Sequence, residues 1–169
     1  MAVFEPLFAA LNVAGVRYVV VGGLAVVLHG HARMTVGVDL VVDLDDEQAR
    51  RAIDALVGLG LRPRVPVDPK HFANPVMRER WIRDQRMQVF SMHDPSNPLR
   101  AVDLFVNHPV RFEDLRSRSI QMHLQDTSVR VASIPDLIRM KRLAGRPQDL
   151  LDIERLEAIR EARGESEDD

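Results

Sequence analysis

VVVGGLAVVLHGHARMTVGVDLVV, residues 19–42, decides the architecture. Its opening belongs to a nearly continuous β-branched run that starts at Val16 and breaks at Gly22 and Gly23. A run without polar alternation suits a strand covered on both faces. Two glycines permit a tight bend and close approach of the backbone to a neighbour. Residues 24–29 then read as a helix ended by Gly30, and residues 38–44 as a second buried strand. Strand, bend, helix and strand in so short a span predict an α/β fold.

The flanks extend this pattern. Upstream, Phe4, Leu7, Phe8 and Leu11 make a helical stripe over 4–14. Downstream, Asp45 or Asp46 caps a helix to about Val57, with Ile53, Leu56 and Val57 facing inward. A short strand at 61–65 leads into a loop around Pro63, Pro66 and Pro69. Asn74 and Pro75 open a helix holding Trp81 and Ile82. A strand at 87–92, a turn at 93–98 and a third buried strand at 101–106 follow. Residues 112–118 read as a short helix, and 119–124 with 128–132 as a hairpin. Ser133, Pro135 and Asp136 carry helix-start chemistry for residues 137–144, and Gly145 ends that helix. Pro147 starts the last helix, to about Arg160, with Leu150, Ile153, Leu156 and Ile159 inward. The expected fold is a mixed β-sheet flanked by helices, with a C-terminal helical pair. The expected domain is 1–160, its helical pair beginning near 135. Residues 161–169, with five acids and one arginine, are expected to form a disordered acidic tail.

Composition narrows the function. The chain has 169 residues, 46% apolar and 28% charged, enough for one buried core. Twenty-three basic against 25 acidic residues give a net charge of −2, which excludes a protein that coats polyanions in bulk. Cysteine is absent, so disulfide scaffolds, thiolate zinc sites and cysteine nucleophiles are excluded. The start, MAVFEP, lacks a basic leader region, and no apolar run reaches the roughly 20 residues of a bilayer span. A cytoplasmic protein without membrane association is expected.

Two aspartates carry the chemistry. Asp39 and Asp103 each stand inside an apolar strand, where an ionised carboxylate is costly unless paired or metal-bound. Either each meets an arginine, such as Arg33, or the two converge as hard oxygen ligands for magnesium or manganese. The bend at Gly22 and Gly23, followed by a helix N-terminus, either packs tightly or receives a phosphate. Arg33 could pair with Asp39 or touch that phosphate, and Thr35 could orient Asp39. Two basic clusters, one of Arg78, Arg80, Arg83 and Arg86, the other of Arg139, Lys141, Arg142 and Arg146, are solvated faces or anion sites. His29 and His31 lack a third nitrogen or thiolate for zinc. Ser91, His93 and Asp94 lack the nucleophile turn of a hydrolase triad.

Gly-Gly, a short helix ending in His-Gly, Arg-x-Thr and an acidic strand together resemble the nucleotidyltransferase-fold superfamily. The similarity is greatest to its small bacterial branch, related to minimal nucleotidyltransferases and abortive-infection-type toxin–antitoxin proteins. VASIPDLIRMKRLAGRPQDLLDIERL, residues 131–156, resembles the C-terminal signature of that branch. The resemblance implies that Gly22 and Gly23 hold a nucleoside triphosphate. Asp39 and Asp103 would be the second and third metal-binding carboxylates. Lys141 would contact the nucleotide, with Arg146, Asp149 and Asp152 beside it. It further implies magnesium- or manganese-dependent transfer of a nucleoside monophosphate to a protein or RNA hydroxyl. The first carboxylate of the family, two residues before the second, is Gly37 here. Residues i and i+2 of a strand share a face, so a side chain is missing where a metal ligand would stand. A weakened enzyme and an inactive, antitoxin-like nucleotide- or partner-binding module both follow from that change.

Overall fold

A computed structural model describes residues 2–165. Seven strands form one mixed sheet: β1 (Tyr18–Val21), β2 (Val38–Val42), β3 (Arg62–Pro63), β4 (Val89–Asp94), β5 (Asn97–Phe105), β6 (Ile120–His123) and β7 (Ser128–Val131). The spatial order is β3-β4-β5-β2-β1-β7-β6. β1 runs parallel to β7 and β2 parallel to β5, while the other neighbours are antiparallel. The central strands β1 and β2 are covered on both faces, and Val19, Val20, Leu40, Val41 and Val42 are fully buried. Continuous β-branched and aliphatic sequence in both strands reflects that double burial.

Helices α1 (Glu5–Val13), α2 (Gly22–Leu28), α3 (Asp46–Gly58), α4 (Pro75–Gln85), α5 (Phe112–Arg118), α6 (Ile134–Ala144) and α7 (Pro147–Arg163) flank the sheet. Their starts follow local chemistry. Asp45 caps α3 and Asn74 caps α4, each accepting two backbone N–H groups, and the Ser133 hydroxyl caps α6. Helix α2 begins at Gly22 itself, earlier than expected, because the glycine bend supplies its first turn. Pro69–Ala73 forms a short 3-10 turn that the proline spacing alone does not reveal. β4 and β5 join through a tighter turn than expected, since β5 already begins at Asn97. Trp81 lies in the core, stacked on Phe90 with centroids 5.2 Å apart.

Helix α7 departs from the expected stripe. Ile153 and Leu156 face inward, but Leu150 is 61% exposed, and Asp149 and Asp152 take the buried positions in its first turns. A cation, not an apolar surface, faces that end of the helix. The helix also continues to Arg163, whose guanidinium donates to the His29 carbonyl at 2.8 Å. Residues 161–163 of the expected tail are therefore helical, and residues 166–169 lie outside the described residues. Among the described residues no helix is long and apolar enough to cross a membrane.

Candidate active site

Strand register assembles the acidic centre. Val21 pairs with Asp39, Asp39 with Asp103, and Asp103 with Ser91. This row crosses four adjacent strands, and partners in register point to the same face. The Ser91 hydroxyl donates to Asp103 Oδ1 at 2.5 Å, and the Gly23 backbone N–H donates to Asp39. Burial, then the neighbouring Asp103 charge, push the Asp39 carboxyl up to about 6, against the opposing pull of Lys141 and Arg146. Two acids forced together in this way form a centre that a cation would relieve.

The glycine bend is shaped around these side chains. Gly22 adopts φ +67°, and a Cβ there would overlap the Asp39 carboxylate. A Cβ on Gly23 would overlap the Arg33 guanidinium and stand 2.7 Å from Thr35 Oγ1. Arg33 does not pair with Asp39. Its Nε lies 3.4 Å from Asp152 Oδ1, and its guanidinium covers the bend instead.

Helices α6 and α7 bring the cations. Lys141 Nζ donates to Asp152 Oδ2 at 2.7 Å and to Asp149 Oδ1 at 3.4 Å, in a pocket where all three side chains are buried. Arg146 Nε donates to Asp149 Oδ2 at 2.8 Å while most of its side chain reaches solvent. These contacts hold Asp149 below the usual carboxylate range, its buried position notwithstanding. Asp152 thus joins the C-terminal helices to the arginine over the bend.

One cleft of about 840 Å³ is lined by Gly22, Gly23, Thr35, Asp39, Asp103, Lys141 and Arg146, every site residue expected from sequence. A smaller hollow of about 240 Å³ adjoins Asp39, Asp103, Ser91, Gly37 and Arg64. The structure does not bring the two basic clusters together as one face. Arg78 is buried and donates to the carbonyls of Phe72 and Leu44. Arg83 pairs with Asp84, Arg139 with Asp136 and Arg142 with Glu157. Asp43, four residues after Asp39, is engaged by Arg17 and cannot serve the acidic pair.

The backbone at Gly37 leaves no room for the first carboxylate. Its φ is +78°, and a Cβ would stand 2.8 Å from the Ala101 carbonyl oxygen. Among the described residues no group of three or more histidine or acidic side chains is placed to hold a metal. The donor set therefore fits one hard cation between Asp39 and Asp103, and does not fit a pair of cations bridged by three carboxylates.

Sequence reasoning missed two contributors. Ser91 is recognisable only once strand pairing sets it beside Asp103. The apolar side of the cleft, with Phe105, Val89, Met87 and Ile82, comes from segments distant in sequence.

The fold has solved relatives. The lincosamide antibiotic adenylyltransferase LnuA, in its lincomycin-bound crystal structure, matches with a TM-score of 0.58 and 16% identity over 92% of this chain and 96% of its own. An antigenic nucleotidyltransferase-like protein from Paracoccidioides brasiliensis matches with a TM-score of 0.59 and 17% identity over 92% and 73%. The antibiotic-resistance factor ANT(2'')-Ia, determined in solution, gives 0.58 and 13% over 95% and 89%. At these identities the likeness is one of fold. No curated protein matches the chain. The sequence model of a family described as "nucleotidyltransferase of unknown function (DUF6036)" matches residues 5–162, and the chain belongs to that family.

Proposed function

We propose that this chain is a metal-dependent nucleotidyltransferase. The observation that carries the reading is the convergence of Asp39 and Asp103, in register on β2 and β5, beside the glycine bend and under the cations of α6 and α7. Gly22, Gly23, Arg33 and Thr35 form the cradle for a triphosphate, with Lys141 and Arg146 facing it. Asp39 and Asp103 would hold one magnesium or manganese ion, which when bound supplies charge neutralisation at the α-phosphate and orients it. The acceptor hydroxyl oxygen forms a bond to the α-phosphorus. The bond to the bridging oxygen breaks, pyrophosphate leaves with that electron pair, and the hydroxyl proton passes to the carboxylate pair. Arg33 and Arg146 stabilise the charge that builds on the leaving group.

A second reading has its own observation. The backbone at Gly37 sits at φ +78°, where an acidic side chain would be strained and crowded by Ala101, so the cleft could bind a nucleotide or a partner protein without turnover. Transfer of label from an α-labelled nucleoside triphosphate in the presence of magnesium decides between them. The enzyme incorporates label and loses it on Asp39→Asn. Nucleotide-dependent thermal stabilisation without incorporation supports the binding module. Neither effect with any nucleotide rejects the enzyme and the nucleotide-binding module.

A further inference from the structure

The acidic row divides the cleft into two unlike halves. On the β1 side stand the glycine bend and the cations Arg33, Lys141 and Arg146, with Leu137, Met140 and Leu143 of α6 beside them. On the opposite side, along β5 and β4, the next row on the same strand face is Phe105 paired with Val89, roughly 7 Å beyond Asp103 and Ser91. In that row Val19 and Val41, on β1 and β2, are fully buried, whereas Phe105 and Val89 are only partly buried and line the cleft. Ile82 and Met87, at the end of α4 and just after it, continue this surface, and Gln88 and Asn107 edge it. It is an apolar shelf open to the reacting centre, and none of these six side chains carries a charge.

We infer that this shelf is the acceptor site, and that the acceptor is an uncharged alcohol with an apolar face; the assignment rests on the nucleotidyltransferase reading above. In-line displacement places the attacking oxygen opposite the leaving oxygen. With pyrophosphate drawn to the cations on the β1 side, the attacking hydroxyl approaches from the β4 side, across the carboxylates. An RNA end would need cations along its phosphates, and no cation lines the cleft beside Phe105, Val89, Ile82 and Met87, the arginines of α4 lying outside it. A polyamine-like acceptor would need carboxylates beyond the reacting pair, and the shelf offers none of these either. Phe105, Val89, Ile82 and Met87 match an aliphatic or aromatic body, and Gln88 and Asn107 can hydrogen-bond a neutral polar edge.

The test uses the native chain, 2-phenylethanol as the probe alcohol, and ATP with magnesium. Saturation-transfer NMR reads alcohol binding, and thermal shift reads nucleotide binding. The expected result is simultaneous binding. Phe105→Ser and, as a second variant at a helix end, Ile82→Ser should each weaken the alcohol about tenfold while the nucleotide-induced shift persists. Displacement of the alcohol by ATP, or loss of the nucleotide shift in both variants, overturns the assignment, because the shelf would then hold the base. Nucleotide binding with no alcohol binding overturns the acceptor site and leaves the transferase reading standing. Alcohol binding that depends on Phe105, with no effect of any nucleotide, overturns the transferase reading and the acceptor role with it. Competition by a single-stranded oligoribonucleotide at the shelf, read by the same NMR signal, rejects the small-alcohol assignment in favour of RNA.

Discussion

Gly37 faces Ala101 across the start of the β2–β5 pairing so closely that a Cβ on it would stand 2.8 Å from the Ala101 carbonyl oxygen. The glycine also sits at φ +78°, where an L side chain costs roughly 1–2 kcal/mol before any clash. The departure from the family pattern is thus built into the backbone and is not a side-chain deletion alone. Gly37→Asp is expected to lower the melting temperature by roughly 4–8 °C and to leave label incorporation no higher than in the native chain. Calorimetry beside the incorporation assay checks both. An unchanged melting temperature with raised activity would show that the strand accepts the acid.

Asp152 is the buried hinge between the C-terminal helices and the glycine bend, since it meets Lys141 at 2.7 Å and Arg33 at 3.4 Å. Removing one member of a buried ion pair leaves the other charge uncompensated, at a cost of about 3–5 kcal/mol. Asp149 remains near Lys141, so Asp152→Asn is expected at the lower end, about 3 kcal/mol by urea unfolding. Adding Lys141→Met to that variant should recover most of the loss, because no unpaired ammonium is left. Additive losses in the double variant would mean that the two residues do not act as a pair.

β1, β2 and β5 were legible in the sequence because unbroken apolar runs have few alternatives, and Asp39 and Asp103 were legible because charge in such runs demands a reason. The glycine bend and the caps Asp45, Asn74 and Ser133 were legible as local chemistry. The inward Asp149 and Asp152 contradict the apolar stripe expected of α7, because helical periodicity cannot tell which end of a helix faces a buried cation. Arg33 reaching Asp152, 119 positions away in the chain, is a product of tertiary packing and has no local signature. The same holds for Ser91 beside Asp103, which only the antiparallel register of β4 on β5 creates.

His29 is buried, and its Nε2 lies 2.8 Å from the Ala132 carbonyl, so that nitrogen carries the proton and donates. Burial, opposed by the Ala132 carbonyl and Glu165 and reinforced by Arg163, lowers its pKa below the ordinary histidine value of 6.5. The unfolded chain therefore takes up a proton before the folded chain does. Stability falls as pH drops through 6.5 and keeps falling until the lower folded pKa is reached. Melting temperatures recorded from pH 7.5 to 5 should show this decline, and His29→Asn should flatten it. An identical slope in the variant would assign the acid sensitivity elsewhere.

Asp39 runs the opposite way. Its carboxyl rises from 3.8 up to about 6 on folding, so the folded state favours the protonated form. That contribution is present below about pH 4 and disappears as pH rises through 6, leaving the ionised group a burden of up to ~3 kcal/mol. Asp39→Asn removes the charge and keeps an oxygen for the Gly23 N–H. In chelator-containing buffer at pH 8 the variant should melt higher than the native chain, by roughly 4–10 °C. At pH 4 the two should melt together. The same variant should lose at least about 10²-fold in nucleotide transfer, since stability and activity make opposite demands on this carboxylate. A variant that melts lower at pH 8 would mean that Asp39 is held by favourable contacts and not strained against Asp103.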